Sequence, residues 1–168
     1  MTVTSSEHEL VDVLDAAGSV VGTAPRWQVR RDNLLHRSVF VAVVNDTAEL
    51  LVHRRADWKD VWPGHWDLAF GGVVDHGEAW EAAAVRELAE EAGIAAELVY
   101  LGEGRYEDAV VREIARVYLA RHDGPVSFHD GEVTEVEWVP LAAVRAWLEG
   151  REVCPDSRDL VLPRLDAP

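Results

Sequence analysis

Cysteine, lysine and methionine are almost absent from this 168-residue chain, which holds one of each: Cys154, Lys59 and Met1. A lone cysteine excludes an internal disulfide and fits a reducing compartment. No apolar run approaches the ~18 residues that a membrane-spanning helix needs. Met1 to Leu10 is polar and acidic, unlike a secretion signal, so a cytoplasmic location without a membrane partner is expected. Positive charge is also scarce: 16 Lys and Arg face 31 Asp and Glu, a formal net charge of −15. Such a field repels nucleic acid and anionic lipid at long range, which argues against nucleic acid as a partner. An acidic enzyme acting on phosphates would have to supply positive charge locally, and a carboxylate cluster that loads divalent metal would do so.

What is present is ordinary for a globular chain: 48% hydrophobic and 28% charged residues. The length fits one domain over 1–168, read as an N-terminal hairpin and connector (1–35), a core (36–150) and a tail (150–168). Leu10–Leu14 and Val20–Thr23 flank the turn residues Asp15–Ser19 and predict a β-hairpin. After Pro25, the polar stretch Arg26–Asn33 reads as a short helix or loop. Ser38–Val44 is a β-branched run expected to be buried on both faces, and Leu50–Val52 leads a second strand into Arg54-Arg55. An aromatic loop from Trp58 to Trp66 precedes a short strand, Asp67–Phe70, that ends at Gly71-Gly72. Further strands are expected at Ala96–Leu101, Ile114–Ala120 and Val133–Trp138. A helix is expected over Leu141–Leu148, then an irregular or partly helical tail. The pattern predicts an α/β (α+β) fold, helices packed on a mixed sheet.

The segment carrying chemistry is a helix over Ala79–Ala92, stopped by Gly93. At about 100° per residue, Glu90 and Glu91 fall about 60° and 40° to either side of Glu87, so three carboxylates share one face. Val85, Leu88, Ala89 and Ala92 lie on the other side and form the expected packing stripe, leaving the acids to point into a groove. The like pair Glu87/Glu91 at i,i+4 costs a helix about 0.2–0.5 kcal/mol. Negative charge in the last turn opposes the macrodipole by roughly 0.3–1 kcal/mol per group. Arg86 can recover part of this by reaching Glu90. Local rules broken without compensation mark functional sites. Hard divalent cations resolve the conflict, because Mg²⁺ and Mn²⁺ prefer oxygen ligands, and Gly71-Gly72 lets backbone approach the same place.

The segment reads Gly72-x5-Glu78-x7-Arg86-Glu87-Leu88-x-Glu90-Glu91-x-Gly93-Ile94. It resembles the Nudix box at every defined position, over 23 residues. The resemblance implies an α/β/α sandwich with a mixed central sheet and hydrolysis of a diphosphate linkage in a nucleoside diphosphate derivative or similar small-molecule pyrophosphate. It also implies Mg²⁺ or Mn²⁺ held by Glu87, Glu90 and Glu91 with Gly72 admitting the ion. Glu87, Glu90 and Arg86 become the catalytic candidates, with Arg86 orienting the glutamates and Glu78 bracing the loop–helix junction. A further carboxylate is sought among Glu113, Glu132 and Glu135. Family members often dimerise, so a homodimer is compatible.

A second resemblance extends beyond the box. Leu35-His36-Arg37, Arg54-Arg55 and Lys59 through Trp62-Pro63-Gly64-His65-Trp66 look like the branch that includes isopentenyl-diphosphate isomerase. True isomerases carry a catalytic cysteine just before the box glycine and a metal-binding histidine just after it. Gly71 and Val73 stand there in this chain, so an isomerase-like hydrolase is the expectation, with isomerase and non-catalytic ligand sensor as rivals. The branch suggests Arg54, Arg55 and Lys59 as substrate-binding cations. His36 matches a metal-ligand position of the branch, and Trp27, Trp62 and Trp66 read first as packing residues. Cys154 reads as structural or incidental.

Overall fold

The computed structural model describes residues 8–166. Among these the chain forms nine strands and five helices, with a two-stranded and a seven-stranded sheet. Strands β1 (Leu10–Leu14) and β2 (Val20–Pro25) make the expected hairpin. Its turn is tied by Asp15, whose Oδ1 accepts from the N–H groups of Ala17 and Ser19 at 2.9 Å each, while Gly18 takes a φ of 84°. Helix α1 (Arg26–Arg31) follows directly after Pro25, whose fixed φ suits a helix start.

The large sheet is mixed. β3 (His36–Val44), almost wholly buried, lies parallel to β8 (Arg112–Arg121) over its whole length, with His36 opposite Glu113. β7 (Leu98–Glu107) closes that side antiparallel to β8. On its other side β3 pairs with two different partners. Its end meets β4 (Glu49–Arg55) at Val44, whereas Ser38–Val41 pair with β6 (Phe70–Val73). β4 then diverges to pair with β5 (Trp66–Asp67) and β9 (Val133–Pro140). The sheet therefore opens between β6 and the β4–β5 pair, and the opening places the cleft described below.

Each face is covered. Helix α2 (Trp80–Ala92) packs Ala83, Ala84, Leu88 and Ala92 against Val39, Val41 and Val43. On the opposite face a 3₁₀ turn (Leu141–Ala143), α3 (Val144–Leu148), α4 (Pro155–Leu160) and α5 (Leu162–Leu165) pack against Phe40, Ala42 and Val117. The result is the expected mixed-sheet sandwich with an N-terminal hairpin. Among the described residues no helix is long and apolar enough to cross a membrane.

Several expectations are corrected. The strand expected over Asp67–Phe70 is two strands, because Leu68 and Ala69 turn inward between partners on either side of the opening. β7 starts two residues late and runs six residues longer than expected, since its alternation continues through Gly102 and Gly104. Of the two readings of the tail the partly helical one holds, with Leu160, Val161 and Leu162 buried in the main core. On α2, Val85 and Ala89 are exposed and the packed arc is Ala83, Ala84, Glu87, Leu88 and Ala92. The buried face is thus turned toward the acids, and Glu87 lies within it.

Candidate active site

The opening in the sheet is a cleft of about 270 Å³ whose walls include Gly71, Gly72, Glu87, Glu90 and Glu91. Helix α2 reaches it because β6 runs beneath with two residues that lack side chains. A Cβ at Gly72 would stand 2.7 Å from Glu87 Oε1, so only glycine lets this carboxylate lie against the strand. The Gly71 N–H donates to Glu91 Oε2 at 3.1 Å. Glu87 and Glu91 are thereby drawn inward, one turn apart, onto β6.

Arg86 organises the rest. Its Nε and Nη2 donate to Glu78 Oε1 and Oε2 at 2.8 and 2.9 Å, and its Nη1 donates to Glu87 at 2.8 Å and Glu90 at 3.3 Å. Nη2 also meets the Val73 carbonyl at 3.3 Å, and Glu78 Oε2 accepts the Asp75 N–H at 3.0 Å. The fork thus fastens the loop before α2 to the helix while aligning two box glutamates, which a lysine could not reproduce. Glu90 remains at the rim, its side chain 59% exposed.

Burial pushes the Glu91 carboxyl well above the usual range, with the neighbouring Glu87 adding to it and Lys59 opposing. Glu87 is also raised by burial, against the pull of Arg86. Glu78 is held low by its hydrogen bonds from Arg86. Two like carboxylates withdrawn from water onto a glycine backbone form an environment that a cation would relieve. Among the described residues no group of three His, Cys, Asp or Glu side chains forms a ready-made metal cage. Mg²⁺ does not require one, since it characteristically takes one or two carboxylates, waters and substrate phosphate oxygens. The all-oxygen donor set fits a hard divalent ion.

Other sequence candidates divide. Arg55 and Lys59 line the cleft. Lys59 Nζ donates to Glu132 at 2.6 Å, and Arg55 Nε donates to the Val61 carbonyl at 3.0 Å with Asp67 3.6 Å from its Nη1. Arg54 is not among the cleft residues. It turns the other way to Glu135 (2.8 Å) and the Gly64 carbonyl (2.9 Å), because adjacent strand residues face opposite sides. Glu135 leaves the site with it, whereas Glu113 and Glu132 reach the cleft. Glu113 is buried with Oε1 unpartnered among the described residues, and burial, then Asp156, pushes it up to about 8. His36, beside it, donates from Nδ1 to the Leu34 carbonyl at 2.9 Å, and burial lowers it to about 4. Trp62 lines the cleft, Trp66 packs edge-on against Trp147, and Trp27 lies under the Arg31 guanidinium. Cys154 is buried, its thiol raised by burial and by Asp67.

Sequence reasoning missed Arg26, Arg30, Asp67 and Asp156, all of which line the cleft. Asp67 and Asp156 are 89 positions apart and meet only through the fold. The two arginines had a usable signal, the i,i+4 spacing that puts them on one side of α1.

The family model described as NUDIX domain matches residues 34–156. A Nudix hydrolase of Pseudomonas aeruginosa is 33% identical over 165 residues, covering 97% of each chain. One from Streptomyces coelicolor is 36% identical over 158 residues, covering 90% of this chain and 86% of its own. A crystal structure from Deinococcus radiodurans superposes with a TM-score of 0.74 at 24% identity, covering 95% of this chain and all of that one, a likeness of fold.

Proposed function

This chain belongs to the NUDIX domain family and is a hydrolase of pyrophosphate bonds, and on that premise we propose that it cleaves a nucleoside diphosphate derivative or similar organic pyrophosphate with Mg²⁺ or Mn²⁺. The observation that carries the metal assignment is the pair Glu87 and Glu91, drawn against Gly71-Gly72 at the cleft wall. These two carboxylates, with Glu90 from the rim and the backbone at Gly72, would hold the ion. The chemistry such an ion would supply is to offset charge on the phosphate oxygens and to acidify nearby water. Arg86 fixes the direction of Glu87 and Glu90. Glu90, exposed and held by the longest of the Arg86 hydrogen bonds to a carboxylate, would take the proton from attacking water, with Glu87 as the other candidate base. Arg55 and Lys59, each paired with a carboxylate, would temper the negative charge along the phosphate path.

The isomerase-like branch enters this reading as ancestry, not activity. A side chain at position 71, where isomerases carry their thiol, has no room: a Cβ there would lie 1.8 Å from the Val39 carbonyl oxygen. This supports hydrolysis over proton shuttling across an alkene. The reading also comprises a single domain, a cytoplasmic location consistent with one buried thiol, and small molecules as partners, with nucleic acid and membranes disfavoured by the net charge of −15.

A panel of nucleoside di- and triphosphates, nucleotide sugars, dinucleoside polyphosphates and prenyl diphosphates, assayed with Mg²⁺ and with Mn²⁺, tests the proposal. Release of phosphate or monophosphate is expected. Conversion of isopentenyl diphosphate to its allylic isomer would instead establish the isomerase reading, and no turnover of any member would favour a ligand sensor.

A further inference from the structure

Acidic side chains outnumber basic ones along the cleft by eleven to five. Beyond the metal ion, a diphosphate gains most from cations not already paired with carboxylates, so the commitments of the five decide which side chains can add to the ion's grip. Arg86 is engaged by Glu78, Glu87 and Glu90. Lys59 is taken by Glu132, and Arg55 by Asp67 and a carbonyl. The remaining two, Arg26 and Arg30, come from α1, which precedes the family-matched segment 34–156.

These two are poorly satisfied. Arg26 Nη1 stands 4.0 Å from Glu9, and Arg30 Nε stands 3.6 Å from Asp60, a residue whose own side chain is 61% exposed. Arg30 Nε is shut off from solvent and has no hydrogen-bond partner among the described residues. Burial pulls its guanidinium down, with Asp60 only partly compensating. One helical turn separates the two residues, so both project from the same side of α1 into the cleft. Arg26 is close enough to act on the charge of Glu87 and Arg30 on that of Glu113, so the pair spans from the box carboxylates to the far wall.

We propose that Arg30, with Arg26 one turn before it, is an anion clamp for the terminal phosphoryl group of the substrate, so that α1 selects pyrophosphates with one free phosphate end over those capped at both ends. The inference rests on the hydrolase reading above and names its substrate class. A planar guanidinium set in a wall matches two oxygens of one phosphoryl group. Because most of the Arg30 side chain is covered, with 22% exposed, the group it binds ends there and does not continue through the wall. A free terminal phosphate also carries the larger negative charge, which best offsets two underpaired arginines.

Titration calorimetry with Mg²⁺ tests the clamp without turnover. The probes are methylenediphosphonate, which has free ends and cannot be hydrolysed, and its P,P′-dimethyl ester, which is capped at both. Wild type is expected to bind the free form more tightly. Arg30→Gln should weaken that binding by about 10- to 100-fold, the scale of losing charge-assisted hydrogen bonds, and leave the weak binding of the ester unchanged. Arg31→Gln removes the same charge from the same helix but from a side chain paired with Asp32 in solvent, so it should change binding by less than about twofold. Arg30→Lys keeps the charge without the fork and should be several-fold weaker at an unchanged melting temperature, which serves if the glutamine variant does not fold. Undiminished binding by Arg30→Gln or Arg30→Lys, an equal loss in Arg31→Gln, or no binding by wild type overturns the proposal. Hydrolysis with an unchanged KM in Arg30→Gln sinks the clamp and leaves the hydrolase reading. Arg30-dependent binding by a protein that hydrolyses nothing in the panel does the reverse.

Discussion

Glu91 and Glu113 both have carboxyls raised by burial, but their surroundings assign them different work. Glu91 has a carboxylate neighbour, a glycine N–H and a place on the box helix. Glu91→Gln keeps an acceptor for Gly71 and removes the like charge. Turnover is expected to fall at least ~100-fold, the scale of losing one preorganised electrostatic contact, while the metal-free protein melts higher than wild type. A variant that is as active as wild type would refute the role of this side chain. Glu113 lies away from the box helix, opposite His36. Its folded value of about 8 stands above the ordinary 4.5, so its favourable contribution is complete below about 4.5 and is lost as pH rises through 8. Glu113→Gln should therefore gain on wild type across that window, by on the order of 1 kcal/mol per pH unit in denaturant melts with EDTA. A pH-independent difference would show that Glu113 is ionised throughout. Arg86→Lys should also separate fastening from charge: the pair with Glu78 loses its second bond, at a cost of about 1–3 kcal/mol in stability, together with most activity.

The β6–α2 unit shows how far a pattern can be read without coordinates. Gly93 stops the helix in the left-handed region at φ 64°, as its position after an apolar period suggests, and Ser38–Val44 of β3 is buried throughout as its β-branched run implies. The helix face was not legible. Counting apolar residues favours Val85 and Ala89, yet the buried arc takes in Glu87 because β6 contributes glycines there in place of a core side chain. Arg26 and Arg30 escaped notice for a related reason: their i,i+4 spacing puts them on one side of a six-residue helix, but what that side faces is set by tertiary packing through Val29. The two glycines should behave differently on substitution. Gly71→Ala forces a Cβ to 1.8 Å from backbone on β3, which cannot yield without breaking the ladder, so a loss above about 3 kcal/mol or failure to fold is expected. Gly72→Ala meets only the end of the Glu87 side chain, so it should fold with a modest loss of stability and lose activity as that carboxylate is displaced. Thermal melts of both variants check the contrast, and similar melting temperatures would contradict it.

At the scale of the whole molecule, a net charge of −15 concentrated partly in one cleft sets the folded state against itself. Compaction brings the carboxylates closer than they lie in the unfolded chain, so screening should favour the fold. Raising NaCl is expected to raise the melting temperature through this general term alone. MgCl₂ at matched ionic strength should raise it further, because an ion that binds only the folded protein adds RT ln(1 + [L]/Kd). The two terms separate by mutation: a Glu87→Gln, Glu91→Gln double variant should keep the NaCl response and lose the extra Mg²⁺ response. Identical melting temperatures in the two salts for wild type would mean that the acidic cleft only repels and does not grip. A Mg²⁺ increment surviving in the double variant would place the ion on other carboxylates, with the buried Glu113, Asp67 and Asp156 next in line.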